Sequence, residues 1–203
     1  MSSPEFSLPI PPCVIPLPSR GDDEARTEEA WQLSLPEGVD FEGQRFLLPD
    51  GCSVSAEAQW LESPGQGPHP GGLLSVRLSL RAGVLASCAR CLKETALAIS
   101  DDLMYLYYLA KDAGGRPELG DPLGGGVDDG FMPVDVVSFG RTLDLAPQVW
   151  ETLLLLLPTK VLCREDCAGL CPGCGADLNE VPCSCKPDAG DPRFEALRSL
   201  SPG

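Results

Sequence analysis

Eight of the ten cysteines in this 203-residue chain stand in close pairs. Cys88-Ala89-Arg90-Cys91 is a C-x-x-C, Cys163 and Cys167 have three residues between them, Cys171-Pro172-Gly173-Cys174 is a second C-x-x-C, and Cys183-Ser184-Cys185 is a C-x-C. A C-x-x-C turn aims two thiolates at one ion, and glycines such as Gly173 and Gly175 supply the backbone freedom such a turn needs. A lone C-x-x-C also fits thiol redox chemistry. Several pairs packed between residues 163 and 185, with only one histidine in the whole chain, point to four-cysteine metal sites.

Eight thiols fit two tetrahedral zinc ions as structural staples. In one pairing Cys171, Cys174, Cys183 and Cys185 hold one ion while Cys88 and Cys91 join Cys163 and Cys167 on the other. A rival gathers Cys163, Cys167, Cys171 and Cys174 in one local knuckle. The spacing alone does not choose between them. A closed four-cysteine site leaves no open coordination position, so neither pairing argues for catalysis. The remaining two cysteines read as bland: Cys13 as an unpaired thiol in a mobile proline-rich segment, Cys52 as an ordinary strand residue.

The rest of the chain reads as an α+β fold: a mostly antiparallel sheet or partly closed barrel, one buried helix, and a cysteine-rich zinc knuckle at the C-terminus. Residues 1–30 form a Pro-rich and then acidic arm, 31–160 a β-rich domain, 161–187 the cysteine-rich segment and 188–203 a tail with a short helix at Phe194 to Leu200. Strict alternation marks a strand in which Leu74, Val76, Leu78 and Leu80 share one face and Arg77, Ser79 and Arg81 the other. Asp50-Gly51 reads as a hairpin turn between Phe41–Leu48 and Ser53–Leu61. Leu97 to Tyr108 reads as one or two strands with Met104, Leu106 and Tyr108 on one face. The glycine-rich stretch 111–130 reads as a mobile excursion. Asp144 is the expected N-cap of a helix over 145–157, apolar on nearly every side and stopped by Pro158.

Composition narrows the function. With 30 acidic and 15 basic residues the formal net charge is −15, which disfavours a surface that grips nucleic acid throughout and favours a basic partner. Arg77, Arg81, Arg90 and Lys93, near the first C-x-x-C, are candidate phosphate contacts. Other chemistry is thin: His69 sits in a Pro/Gly loop, Gly124-Gly125-Gly126 lacks the Lys-Ser/Thr of a phosphate loop, and Asp101-Asp102 and Asp128-Asp129 read as solvated acids. No apolar run nears the ~20 residues that span a bilayer, and the N-terminus lacks the pattern of a signal peptide, so a cytoplasmic location is expected.

The segment Cys88-Ala89-Arg90-Cys91-Leu92, the leucine run ending at Leu157-Pro158, the stretch from Leu162 to Gly175, Leu178-Asn179, Cys183-Ser184-Cys185 and Asp191-Pro192-Arg193 together resemble the YceD family of large ribosomal RNA subunit accumulation proteins. The resemblance covers roughly residues 40 to 200. It implies a β-rich domain and a non-enzymatic role in the accumulation or processing of large-subunit ribosomal RNA and in ribosome assembly. The net charge of −15 makes a pre-ribosomal particle or a basic large-subunit ribosomal protein the expected partner, with RNA contact weak or indirect. Two alternatives stand beside it: a zinc-stapled protein-binding module or chaperone for a basic ribosomal protein, and a thiol redox enzyme using Cys88 and Cys91.

Overall fold

The computed structural model describes residues 8–19, 21–22, 24–62, 71–109, 131–136 and 138–185. The stretch 111–130, the tail from 186 onward and His69 lie outside the described residues, and with them the expected excursion and terminal helix. The chain divides into two units. The first takes in the described residues up to Ala86 and from Ala96 to Thr159; the second takes in Ser87–Thr95 and those from Lys160.

The first unit is built on β1 (Val14–Pro16), β2 (Arg26–Phe41), β3 (Gln44–Glu62), β4 (Leu73–Ser87), β5 (Glu94–Leu109), β6 (Phe131–Val136), β7 (Thr142–Asp144) and α1 (Ala146–Leu156). A five-stranded sheet runs in the order β2-β3-β4-β5-β6, and β1 pairs with β7 in a separate two-stranded ladder. Nothing joins β2 to β6 among the described residues, so the sheet is open and the expected barrel closure is absent. Nor is the sheet antiparallel throughout: β6 runs parallel to β5, with Leu106 opposite Pro133. A parallel pair requires a long crossover, and residues 110–130 separate these two strands. Pro133 lacks a ladder donor and sits on an edge strand, where that loss is tolerated.

Period-two alternation sets the core. Val54, Ala56, Ala58 and Trp60 of β3 face Leu80, Leu78, Val76 and Leu74 of β4 across the ladder, and all eight are buried. The opposite face carries Ser53, Ser55, Glu57 and Gln59 against Arg81, Ser79, Arg77 and Ser75. β5 is a single strand covered on both faces over Tyr105 to Tyr108. Leu106 and Tyr108 cluster with Leu73, while the Tyr105 hydroxyl meets the buried Thr152 Oγ1 of α1 at 3.0 Å.

Two local readings change. The β2–β3 hairpin turns at Glu42-Gly43, both at positive φ (50° and 76°), the geometry of a two-residue hairpin loop matched to strand twist. Asp50-Gly51 instead lies inside β3, where the register against β2 shifts between Leu33 and Leu35. Gly51 has φ +69°, and a Cβ there would stand 2.0 Å from the Leu33 carbonyl oxygen, so the glycine serves a bulge and a close backbone approach. Cys13 is also no loose thiol: it is fully buried. Its N–H donates to Asp144 Oδ1 at 2.9 Å and its carbonyl accepts from Leu145 N–H, strapping the Pro-rich segment to the start of α1.

Helix α1 runs over Ala146–Leu156 with Leu145 as its N-cap. Asp144, one residue earlier than a cap, still accepts from the Ala146 N–H at 2.9 Å. Leu157 is extended, as the residue before Pro158 must be. The helix is one-faced rather than buried all round: Ala146, Val149, Thr152 and Leu153 are inside, Leu155 is 63% exposed. Truncating Leu153, 1% exposed, to alanine is therefore expected to cost about 2–5 kcal/mol. Leu155→Ala should stay within about 0.5 kcal/mol of the parent. Urea unfolding followed by tryptophan fluorescence distinguishes the two.

Candidate metal centres

The second unit is assembled from two pieces of chain, and few apolar side chains are buried among its described residues. Among its described residues the buried cluster is Cys88, Cys91 and Cys167, with Leu162 and Leu170 packed against it. The chain enters this unit after β4 and leaves it at the start of β5, so Cys88 and Cys91 occupy the turn between those strands. The Ala89 N–H donates to the Val161 carbonyl at 2.8 Å and the Leu170 N–H to the Arg90 carbonyl at 3.1 Å, fixing the second piece against that turn. Gly169, at φ +78°, makes this approach feasible: a Cβ there would lie 3.1 Å from the Arg90 carbonyl oxygen.

Both C-x-x-C segments fold into the same knuckle. In the first, the Arg90 N–H points at Cys88 Sγ (3.5 Å) and the Leu92 N–H closes onto the Cys88 carbonyl (2.9 Å). In the second, the Gly173 N–H points at Cys171 Sγ (3.4 Å) and the Gly175 N–H closes onto the Cys171 carbonyl (2.8 Å). The closing residue sits at positive φ in each, 61° for Leu92 and 75° for Gly175. Glycine takes that conformation freely; a leucine there carries strain, sustained by the surrounding structure.

The thiols converge in two sets: Cys88, Cys91, Cys163 and Cys167, and Cys171, Cys174, Cys183 and Cys185, each with all its sulfurs within 4.8 Å of one another. Thus the structure brings together the first pairing weighed above and not the rival. All ten cysteines are free thiols. The sulfur separations are 3.8 Å for Cys88–Cys167, 3.6 Å for Cys91–Cys163, 3.5 Å for Cys174–Cys183 and 3.4 Å for Cys171–Cys183. A tetrahedron of sulfurs about 2.3 Å from a central ion has edges of about 3.8 Å. Both quartets therefore fit a four-thiolate metal ion, and both could hold one.

The acidities show what such an ion would relieve. Backbone donors at Cys91 and Cys163 bring the Cys88 thiol down to about 6, and those at Cys174 and Gly173 bring Cys171 down to about 6. Facing such thiolates, Cys163 is pushed up to about 12, first by its contact with Cys91. Cys185 rises to about 12 beside Cys183, Cys174 and Cys171. In each set at least one sulfur ionises readily, Cys88 and Cys167 in the first and Cys171 in the second, while the last resists because its hydrogen bonds to neighbouring sulfurs favour the protonated form.

Of the candidate phosphate contacts, Arg90 and Lys93 are engaged within this unit. Arg90 Nη1 donates to the Cys167 carbonyl at 2.8 Å; Lys93 pairs with Asp177 at 3.3 Å and with Glu180. Arg77 and Arg81 lie in β4 of the first unit, on its exposed face. Arg77 shares a shallow hollow with Glu28, Glu29 and Glu57. Sequence reasoning missed Asn179, whose amide reaches Cys167 Sγ at 3.5 Å. Its signal was the Asp177-x-Asn179 turn set between two cysteine pairs.

A family model described as large ribosomal RNA subunit accumulation protein YceD matches residues 76–201, the stretch that holds both quartets. The chain belongs to the YceD family. Two mycobacterial proteins, each described as an uncharacterized protein, one from Mycobacterium bovis and one from Mycobacterium tuberculosis, are 29% identical to this YceD-family chain over 119 residues. The aligned part is 59% of this chain and 51% of each relative, so the chain spans about half the length of the curated relatives it matches. No solved structure matches it. The family name ties its members to the accumulation of large-subunit ribosomal RNA. No helix among the described residues is long and apolar enough to cross a membrane.

The quartets make a stoichiometric prediction. Native mass spectrometry of the reduced chain should show two metal ions. Cys91→Ser with Cys163→Ser should remove one, Cys174→Ser with Cys183→Ser the other, and Cys52→Ser neither.

Proposed function

We propose that this chain is a non-enzymatic factor that supports large-subunit ribosomal RNA accumulation and ribosome assembly, with two zinc ions as structural staples in its second unit. The observation that carries the reading is the family match, which runs from β4 through both cysteine quartets. Zinc is the natural occupant, since four thiolates in a tetrahedron suit a borderline-soft ion without geometric preference of its own. Four protein ligands at each site leave no position for a substrate, which supports a structural role. The redox alternative loses its main support, because Cys88 and Cys91 each face a partner sulfur from the other piece of chain. Depleting the protein in its own cells should lower large-subunit ribosomal RNA relative to small-subunit RNA, and re-expression should restore it. An unchanged ratio overturns the proposal.

Charge favours a particular route to the particle. Two loaded quartets make a chain of net charge −15 more negative by about four units. Arg90 and Lys93 are already taken up inside the second unit, and Arg77 sits among glutamates. These support recruitment through a basic large-subunit ribosomal protein rather than through naked RNA. Titration at physiological salt against isolated large-subunit RNA and against basic large-subunit proteins separates the routes. Tighter binding to a protein supports this one; tight, steeply salt-dependent binding to RNA alone overturns it.

A further inference from the structure

The eight-residue segment between Cys174 and Cys183 belongs by sequence to the second quartet, yet its Asn179 touches the first. Every bonding position of this side-chain amide is used. Oδ1 accepts from the Ala168 N–H at 2.7 Å and from Arg164 Nη2 at 2.7 Å. Nδ2 donates to Asp177 Oδ1 at 2.6 Å and to Cys167 Sγ at 3.5 Å. Because the Ala168 N–H can only donate, the amide oxygen is fixed toward it and the amide nitrogen must face the sulfur. Asp177 holds the asparagine from behind, also accepting its backbone N–H at 2.9 Å. The same Asp177 pairs with Lys93, next to the first knuckle, at 3.3 Å. The Leu178 N–H donates to the Gly169 carbonyl at 2.9 Å. A donor aimed at a ligating thiolate orients it and stabilises its charge, and such partners commonly change metal affinity about 10–100-fold when removed.

Chain separation gives the two quartets an order. The second lies wholly within residues 171–185, whereas the first joins Cys88 to Cys167 across 79 positions. Closing the shorter loop costs less conformational entropy, so the local quartet organises more easily. Once it is closed, residues 175–182 are held, and Asn179 with them.

We propose that Asn179 is a positioning residue that couples the two quartets: metal held by Cys171, Cys174, Cys183 and Cys185 fixes the amide that donates to Cys167, so loading the local quartet raises the metal affinity of the other. This rests on the reading that both quartets hold zinc. The coupling is reciprocal, so metal at the first quartet strengthens the second by the same factor.

The test uses the full chain, stripped of metal and titrated with cadmium against a competing chelator. Cadmium NMR gives each four-thiolate ion its own resonance, and Cys88→Ser/Cys91→Ser and Cys183→Ser/Cys185→Ser assign them. Asn179→Ala should lower affinity at the Cys88 quartet by about tenfold or more, and should have no further effect there once Cys183→Ser/Cys185→Ser has removed the second ion, the non-additivity of a shared path. If that double-serine chain takes up no cadmium, reciprocity supplies the same test at the other site, where Asn179→Ala should weaken cadmium at the second quartet of the otherwise intact chain. A loss there that disappears in Cys88→Ser/Cys91→Ser supports the coupling; a second quartet indifferent to Asn179→Ala overturns it. A wild-type chain that takes up no metal overturns the zinc reading and the coupling together. Metal at both quartets with an inert Asn179→Ala overturns the coupling alone.

Discussion

Four sulfurs within 4.8 Å of one another cannot all carry charge without a cation among them. Two such sets lie in a unit whose buried cluster among the described residues is itself made of cysteines. Among the described residues the apolar contacts around them, Leu162 and Leu170 packed on Cys88, Cys91 and Cys167, are too few to offset the conformational entropy of ordering two separate pieces of chain. Metal–thiolate bonds supply that folding energy in small units of this kind. The backbone agrees with this division of labour, since the knuckle amides are spent on sulfur rather than on a ladder.

The first unit depends on different physics. Its stability comes from alternating aliphatic positions on β3 and β4 and from one face of α1, packed without any metal ligand. Cys13 and Cys52 belong to this unit and behave accordingly: both are buried, and burial is the first cause that raises each thiol's pKa, Cys52 to about 11. Two cysteines in an apolar core and eight in quartets thus use the same side chain for opposite purposes, as a small hydrophobe and as a ligand.

What the sequence made legible follows from how local each signal is. The strand alternation of Leu74 to Leu80 and the grouping of close cysteine pairs are short-range patterns, and both survive in the structure. Asp50-Gly51 misleads because the requirement for positive φ is the same in a hairpin turn and in a bulge; only the pairing of β2 with β3 separates them. The openness of the sheet and the parallel β6 depend on which strands become neighbours, which no local pattern encodes. Cys13 lay beside prolines that suggested a loose arm, while the hydrogen bonds that hold its backbone come from Asp144 and Leu145, more than a hundred residues away. Asn179 stood in the sequence only as part of the family signature, because its reach to Cys167 arises only when the two cysteine quartets fold together within one unit.

Hydrogen exchange before and after chelation bears most directly on the claim that metal folds the second unit. With metal bound, the amides of residues 88–93 and 161–185 should be protected. After a strong chelator under reducing conditions they should exchange freely, while β3, β4 and α1 keep their protection, since the core of the first unit contains no ligand. Protection of both units that is unchanged by chelation would contradict the account.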